Sequence, residues 1–148
     1  MKILRIQGKN LASIAGEFDI DFTAAPLRSA GIFAICGPTG AGKSTILDAI
    51  CLALFNNMPR TTGIEGTKMP DVGQEFIQQG DRRQILRRGT AEAMAAVEFI
   101  AVDGKSYRSV WRVWRANNKI SGKLQPAELR VYPLGDPSPI TTGISESE

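Results

Sequence analysis

The stretch "GPTGAGKST", residues 37–45, decides the fold, because it predicts a loop that binds nucleotide phosphates. It matches the pattern G-x-x-x-x-G-K-[ST], in which glycines let the backbone wrap around a β-phosphate with successive N–H groups pointing inward. Lys43 is expected to reach the β and γ oxygens, and Ser44 to offer its hydroxyl to Mg²⁺. ATP and Mg²⁺ are therefore the predicted ligands. The predicted ATP contacts are Gly37, Pro38, Thr39, Gly40, Ala41, Gly42, Lys43, Ser44 and Thr45.

The segments on either side of this loop predict the strand and the helix that such a loop requires. "GIFAIC", residues 31–36, is a continuous apolar run, which is typical of a strand buried on both faces. "KSTILDAICLALF", residues 43–55, has apolar side chains at helical spacing. Asn56 and Asn57 can close this helix, and Pro59 prevents its continuation.

The remaining periodic segments predict antiparallel strands. "KILRIQGKNL" (2–11) and "GEFDIDF" (16–22) alternate apolar and polar residues and form a predicted pair joined around residues 12–16. "AEAMAAVEFIAV" (91–102) and "KSYRSVWRVWRA" (105–116) flank Asp103-Gly104, a strong hairpin signal. "AELRVYP" (127–133) predicts a further strand. The predicted fold class is an α/β P-loop lobe with an antiparallel β subdomain.

A long polar segment, residues 59–90, separates the helix from the hairpin and shows no sustained period. We expect it to be irregular, with at most a short helix around residues 74–79. It ends in a basic cluster that would contact DNA phosphates or the nucleotide, or would instead be a solvated loop paired with Glu75 and Asp81. The cluster consists of Arg82, Arg83, Arg87 and Arg88.

The composition of the chain limits the classes of function that it can have. The 148 residues are 43% hydrophobic with a net charge of +3, which fits one domain and is compatible with a phosphorylated ligand. The chain contains no histidine, so histidine catalysis is excluded. Cys36 and Cys51 lie in apolar sequence and are predicted to be core residues. The N-terminal stretch lacks the continuous apolar run of a signal peptide, and no stretch is long enough to span a membrane, so we expect a cytoplasmic location.

The sequence lacks a convincing catalytic half for the phosphate loop. Complete P-loop ATPases also have an apolar strand that ends in Asp, which completes the magnesium site. The best candidate, Val102-Asp103, falls in the predicted hairpin turn, and "LRVYPLGD" has a proline in the wrong place. The sequence contains no ABC signature motif either. We therefore assign no catalytic residue to these 148 residues.

Four stretches together resemble the SbcC family, the ATPase subunits of the bacterial SbcCD nuclease. These are "MKILRIQGKNLASIAGEFDIDF" (1–22), "GIFAICGPTGAGKSTILDAICLALF" (31–55), "RRGTAEAMAAVEF" (87–99) and "YRSVWRVWRANNKISGKLQPAELRVY" (107–132). The chain departs from the family in its longer segment 58–84, and it has Ala12 where some related repair ATPases have an arginine.

The resemblance implies a split ABC-type ATPase head of which this chain is an N-terminal fragment. The Q-loop, a long coiled coil, the signature and Walker B would follow residue 148. The implied partners are the missing C-terminal lobe, a second ATPase head, a nuclease subunit of the SbcD type and DNA, with ATP gating the nuclease at double-strand ends. The expected divisions are 1–58 with the phosphate loop, 59–90 as a basic loop, 91–134 as the hairpin region and 135–148 as a truncated tail.

Two other functions remain open from the residues alone. A small-molecule P-loop kinase would fit 148 residues, and its lid could use the arginines at 82–88, although two strands precede the loop here. A stand-alone nucleotide-binding module is the other alternative, whereas the guanine-reading pattern N-K-x-D is absent. The interpretation of the chain as an N-terminal fragment further predicts an exposed apolar patch where the missing lobe would pack.

Overall fold

A computed structural model describes residues 1–64 and 66–140 of the chain. One helix and a five-stranded sheet dominate the fold, and a two-stranded sheet accompanies them. The elements are β1 (Lys2–Leu11), β2 (Ile14–Asp21), α1 (Lys43–Phe55), β3 (Lys68–Pro70), β4 (Phe76–Gln78), β5 (Glu92–Ile100), β6 (Ser106–Trp114) and β7 (Glu128–Pro133). Three short 3₁₀ turns lie at Leu27–Ser29, Arg82–Ile85 and Ala116–Asn118. Residues 141–148 of the predicted tail lie outside the described residues.

The large sheet has the strand order β2-β1-β5-β6-β7, and each neighbouring pair is antiparallel. The predicted pair β1–β2 and the predicted hairpin β5–β6 are confirmed. In the hairpin the amide of Gly104 donates to the carbonyl of Ala101 at 3.1 Å, which closes the turn between the two strands. β7 extends the sheet beside β6, as the third alternating run predicts.

The helix α1 begins and ends at the predicted residues and packs on one face of this sheet. Ala49, Leu52 and Ala53 are fully buried against the strands. The facing strand β5 contributes Ala95 and Val97, and the small alanines on both elements let helix and sheet approach closely. The predicted core is therefore built from the helix and the antiparallel strands together.

The C-terminal end of α1 is fixed to β6 by two hydrogen bonds. Asn56 adopts the left-handed conformation with φ 52° and ends the helix, as predicted. The Nε1 atom of Trp111, a fully buried side chain, donates to Oδ1 of Asn56 at 3.0 Å. Two residues earlier on the same face of β6, the buried hydroxyl of Ser109 donates to the carbonyl of Ala53. These contacts set how the helix lies on the sheet.

The prediction of a buried strand at residues 31–36 is wrong. The segment forms no strand, and its apolar side chains are exposed, with Ile32 at 94% and Phe33 at 49% of their full accessibility. Cys36 is exposed too, contrary to the prediction that it lies in the core. The physical reason is that an apolar run becomes a buried strand only between neighbouring strands, and within residues 1–64 and 66–140 no strand pairs with it.

The segment 59–90 is more ordered than the sequence predicts. It contains β3 and β4, which pair antiparallel with Met69 opposite Ile77. The short helix that the sequence allows around residues 74–79 is not formed, since β4 lies in that stretch. Asp71 ties the segment to Arg115, the residue that follows β6, and its carboxylate meets the guanidinium at 2.6 and 2.9 Å. This ion pair explains why a polar stretch without periodicity adopts a defined position.

Candidate functional site

The loop between residues 37 and 43 has the shape that a phosphate cradle needs. Gly40 and Gly42 have φ angles of 84° and 91°, a left-handed backbone that favours glycine. Ala41 N donates to Pro38 O at 3.2 Å, which curls the loop, and Ile46 N donates to Gly42 O at 3.1 Å as the helix begins. Residues 37–41 are exposed, so a ligand can reach the loop from solvent.

Gly42 is the point at which the loop rests on the sheet. A Cβ atom there would lie 2.6 Å from Cγ1 of Ile14, closer than real side chains approach, and 3.2 Å from Oγ of Ser13, which is a tight contact. Gly42 is buried, whereas its neighbour Ser44 is exposed at the start of α1. The turn between β1 and β2 therefore supports the cradle from below, while the hydroxyl predicted to hold Mg²⁺ faces outward.

Lys43 lies across the mouth of the loop. Its Nζ atom donates hydrogen bonds to the carbonyl oxygens of Gly37 at 2.7 Å and of Pro38 at 2.8 Å. The ammonium group is thus held by the two residues that open the motif, and the first turn of α1 adds the positive end of its dipole. Thr45, the last predicted contact, is buried beneath the helix start. The residues fit a magnesium-bound nucleotide phosphate.

Asp48 is a buried acid that the predicted site does not use. Its side chain is 7% exposed, and Arg60 Nη2 lies 2.5 Å from its Oδ2 atom. Among residues 1–64 and 66–140, no N–H is aligned on Oδ2 as a hydrogen-bond donor. Burial raises the pKa of the Asp48 carboxyl above its ordinary value, and the positive charge of Arg60 opposes that rise.

The four arginines of the basic cluster lie in two different surroundings. Arg83 is engaged by Asp81, which its Nε and Nη2 atoms contact at 3.0 and 2.6 Å, so the expected pairing is present, although the pair is part-buried and not solvated. Arg82 lies in the same 3₁₀ turn. Arg87 instead donates from Nη1 to the carbonyl of Ala12 at 2.9 Å, on the turn that supports Gly42. Arg88 is exposed beside it, on the rim of a shallow depression of about 370 Å³.

Asp103, the candidate Walker B acid, belongs to the hairpin instead. Its carboxylate accepts hydrogen bonds from the amide of Lys105 at 3.0 Å and from the hydroxyl of Tyr107 at 2.8 Å. These two bonds hold the pKa of Asp103 below its ordinary value. Within the part of the chain that the structure describes, no cluster of acidic or cysteine side chains could hold a metal ion. Ser44 is therefore the one predicted magnesium contact among the described residues.

An apolar cavity of about 720 Å³ opens between the segment 31–36, the outer side of α1 and the start of β1. The periodicity of the sequence could not reveal this cavity, because the cavity lies beside residues 31–36, which do not form the predicted strand. The exposed apolar side chains that line it include Phe33, Ile35 and Leu47. The predicted apolar patch is therefore present in the structure.

Comparison with known proteins places this geometry in a family. The chain belongs to the AAA domain family, whose model matches residues 5–133. The resemblance to SbcC is confirmed by curated relatives. The chain is 53% identical over 90% of its length to the SbcC subunit of the nuclease SbcCD from Pseudomonas aeruginosa, and 53% identical over 84% of its length to that from Rhodobacter capsulatus. It is 33% identical over 91% of its length to a probable DNA double-strand break repair Rad50 ATPase of Aquifex aeolicus.

The chain spans about a tenth of these relatives, covering 11%, 10% and 11% of their respective lengths. None of the helices in residues 1–64 and 66–140 is long and apolar enough to cross a membrane.

Proposed function

We propose that this chain is the ATP-binding N-terminal half of an SbcC-like, ABC-type ATPase that gates a nuclease acting on DNA double-strand ends. The single observation that carries the nucleotide part is the phosphate loop: Gly42 seated on Ile14, with Lys43 across the loop mouth. The repair role rests on the relatives, whose names describe a nuclease subunit and a double-strand break repair ATPase.

In this proposal residues 37–45 contact ATP, with Lys43 on the β and γ oxygens and Ser44 on Mg²⁺. A bound nucleotide supplies the phosphoanhydride bond. The residues of this chain bind and orient it. Arg87 and Arg88 are the members of the basic cluster best placed for the nucleotide, because Arg87 bonds the turn on which the loop rests. Arg82 and Arg83 are less well placed, since Arg83 already holds Asp81.

The apolar cavity supports the view that the head is split. Residues 31–36 would become the buried strand that their sequence predicts once strands from a C-terminal lobe flank them. That lobe would bring the Walker B acid, and a second head would bring the signature across an ATP sandwich. The proposed partners are therefore the missing lobe, a second ATPase head, a nuclease subunit and DNA. This cavity favours a fragment over a stand-alone module, because a large exposed apolar surface usually marks a site where another protein surface packs.

Turnover measurements test this proposal. The chain alone should bind Mg-ATP without steady hydrolysis, and hydrolysis should appear when the C-terminal part of the same gene product is added. Steady turnover by these 148 residues alone would overturn the proposal and favour the kinase alternative, which would then show as phosphoryl transfer to a small substrate. Hydrolysis that stays absent with both parts present would also count against it.

A further inference from the structure

The ion pair of Asp48 and Arg60 joins the helix that follows the phosphate loop to the chain beyond that helix. Asp48 lies in the middle of α1, whereas Arg60 follows the end of α1 by five residues. The chain turns back on itself to bring them together. Thr61 N and Thr62 N both donate to the carbonyl of Met58, at 3.0 and 3.2 Å, and Met58 is buried. This turn brings Arg60 back alongside α1, where it contacts Asp48.

The pair lies close to the proposed phosphate site. Asp48 follows Ser44 by four residues, so the two side chains lie on the same side of the helix and about 6 Å apart along its axis. Asp48 is at the border between the buried face of α1 and the exposed side that carries Ser44. Arg60 contacts Asp48 there, and half of the arginine side chain is open to solvent.

The two partners differ in how firmly they are held. Asp48 is fixed on a packed helix and is removed from water, so its charge depends on a nearby cation. Arg60 is on an exposed chain segment with a long side chain. Its Nη2 atom is close to the carboxylate without an N–H aligned on Oδ2. Because half of the Arg60 side chain is open to solvent, an anion bound at the loop would compete with the carboxylate for the arginine.

We propose that Asp48 and Arg60 form a latch that holds residues 59–64 against α1 until nucleotide phosphates at the loop draw Arg60 away. Asp48 is a positioning residue in this latch, and Arg60 is the part that moves. The release step rests on the proposed nucleotide binding, whereas the holding step does not. The latch would give residues 59–64 a position that depends on whether the loop is filled.

Hydrogen exchange followed by NMR on the full chain tests both steps. Without nucleotide, Arg60→Gln and Asp48→Asn should each speed exchange of the amides of Thr61, Thr62 and Ile64 by about tenfold. The double variant should add little to either change, because both remove the same contact. Arg130→Gln, which removes an arginine from an exposed pair with Glu128 on β7, is the matched control and should leave these amides unchanged. Unchanged rates in Arg60→Gln would overturn the latch even if Asp48→Asn failed to fold.

Addition of Mg-ATP to the unmodified chain tests release. Slower exchange at residues 41–46 reports nucleotide binding, and faster exchange at residues 61–64 reports that the latch opens. Binding without faster exchange at 61–64 would overturn the release step and leave the proposed function intact. No change at residues 41–46 would instead mean that the proposed function has failed, and the release step with it.

Discussion

Gly42 rests directly on Ile14, so closely that a single added Cβ atom would come within 2.6 Å of Cγ1 of that side chain. This contact couples the phosphate loop to the turn between β1 and β2. It also places the residue that precedes α1 on the same turn that Arg87 holds through the carbonyl of Ala12. The proposed nucleotide site is therefore supported from the antiparallel sheet and not only from its own helix.

Gly42→Ala is expected to destabilise the protein more than Gly40→Ala does. Both residues have left-handed backbones, so each alanine costs about 1 kcal/mol of backbone strain. Only Gly42 also has a neighbour in the way, which adds about 1–3 kcal/mol for overpacking. Urea unfolding of the two variants measures the difference. Equal losses of unfolding free energy would contradict the close contact between Gly42 and Ile14.

Trp111→Phe is expected to lower the free energy of unfolding by about 1–3 kcal/mol, since it leaves the Oδ1 atom of Asn56 without its indole donor. Trp114→Phe is the matched control, because that side chain is half-buried and lies on the opposite face of β6. Chemical denaturation with both variants tests this. A Trp114 variant that loses as much as the Trp111 variant would mean that the hydrogen bond to Asn56 adds nothing.

The ion pair of Asp71 and Arg115 should make the free energy of unfolding depend on pH. The hydrogen bond from Arg115 holds the pKa of Asp71 below its ordinary value of 3.8. A group with a lowered folded-state pKa stabilises the fold fully above its unfolded-state pKa, and this contribution is lost as pH falls towards the folded-state value. The unfolding free energy should therefore decline as pH drops through about 4.

Asp71→Asn should remove much of this decline, and at neutral pH it should cost about 3 kcal/mol because Arg115 is left buried without its partner. Glu75→Gln is the control, since Glu75 and Lys123 form an exposed pair, worth at most about 1 kcal/mol. Denaturant unfolding between pH 3 and pH 7 distinguishes the two. A pH profile that Asp71→Asn leaves unchanged would assign the acid sensitivity to another group.

The apolar cavity predicts a measurable exposed surface. A fluorescent dye that reports apolar surface should bind the isolated chain, and Leu47→Ser should reduce the signal, because Leu47 is 56% exposed at the cavity. Val102→Ser is the control, since Val102 is 95% exposed at the tip of the β5–β6 hairpin. A chain that binds no dye would weaken the case that a further lobe packs on this face.

The sequence predicts the elements whose signals are local. The helix α1 covers the predicted residues. Its signals are local: apolar residues at helical spacing, a glycine just before the helix and an asparagine just after it. The β5–β6 hairpin follows from Asp103-Gly104 and alternation on both sides. For the same reason the phosphate loop could be recognised from its own residues, and the chain's antiparallel sheet could be expected.

The sequence-based predictions that fail concern features that depend on residues far apart in the chain. The run at residues 31–36 has the composition of a buried strand, yet burial requires flanking strands, and the described chain supplies none to it. Asp71 and Arg115 are 44 residues apart, so their pairing gives order to a segment whose composition predicts an irregular loop. The pairing of Asp48 with Arg60 likewise carries no periodic signal.

Equilibrium binding of Mg-ATP to the unmodified chain and to Lys43→Ala tests the central claim most directly. The phosphate loop predicts that the unmodified chain binds and that Lys43→Ala weakens binding by about 1.5–3 kcal/mol, which is tenfold or more, because a charged hydrogen-bond donor is lost. Lys68→Ala on β3 is the control and should bind as the unmodified chain does. Equal affinity in all three proteins, or no binding to the unmodified chain, would contradict the proposed nucleotide site.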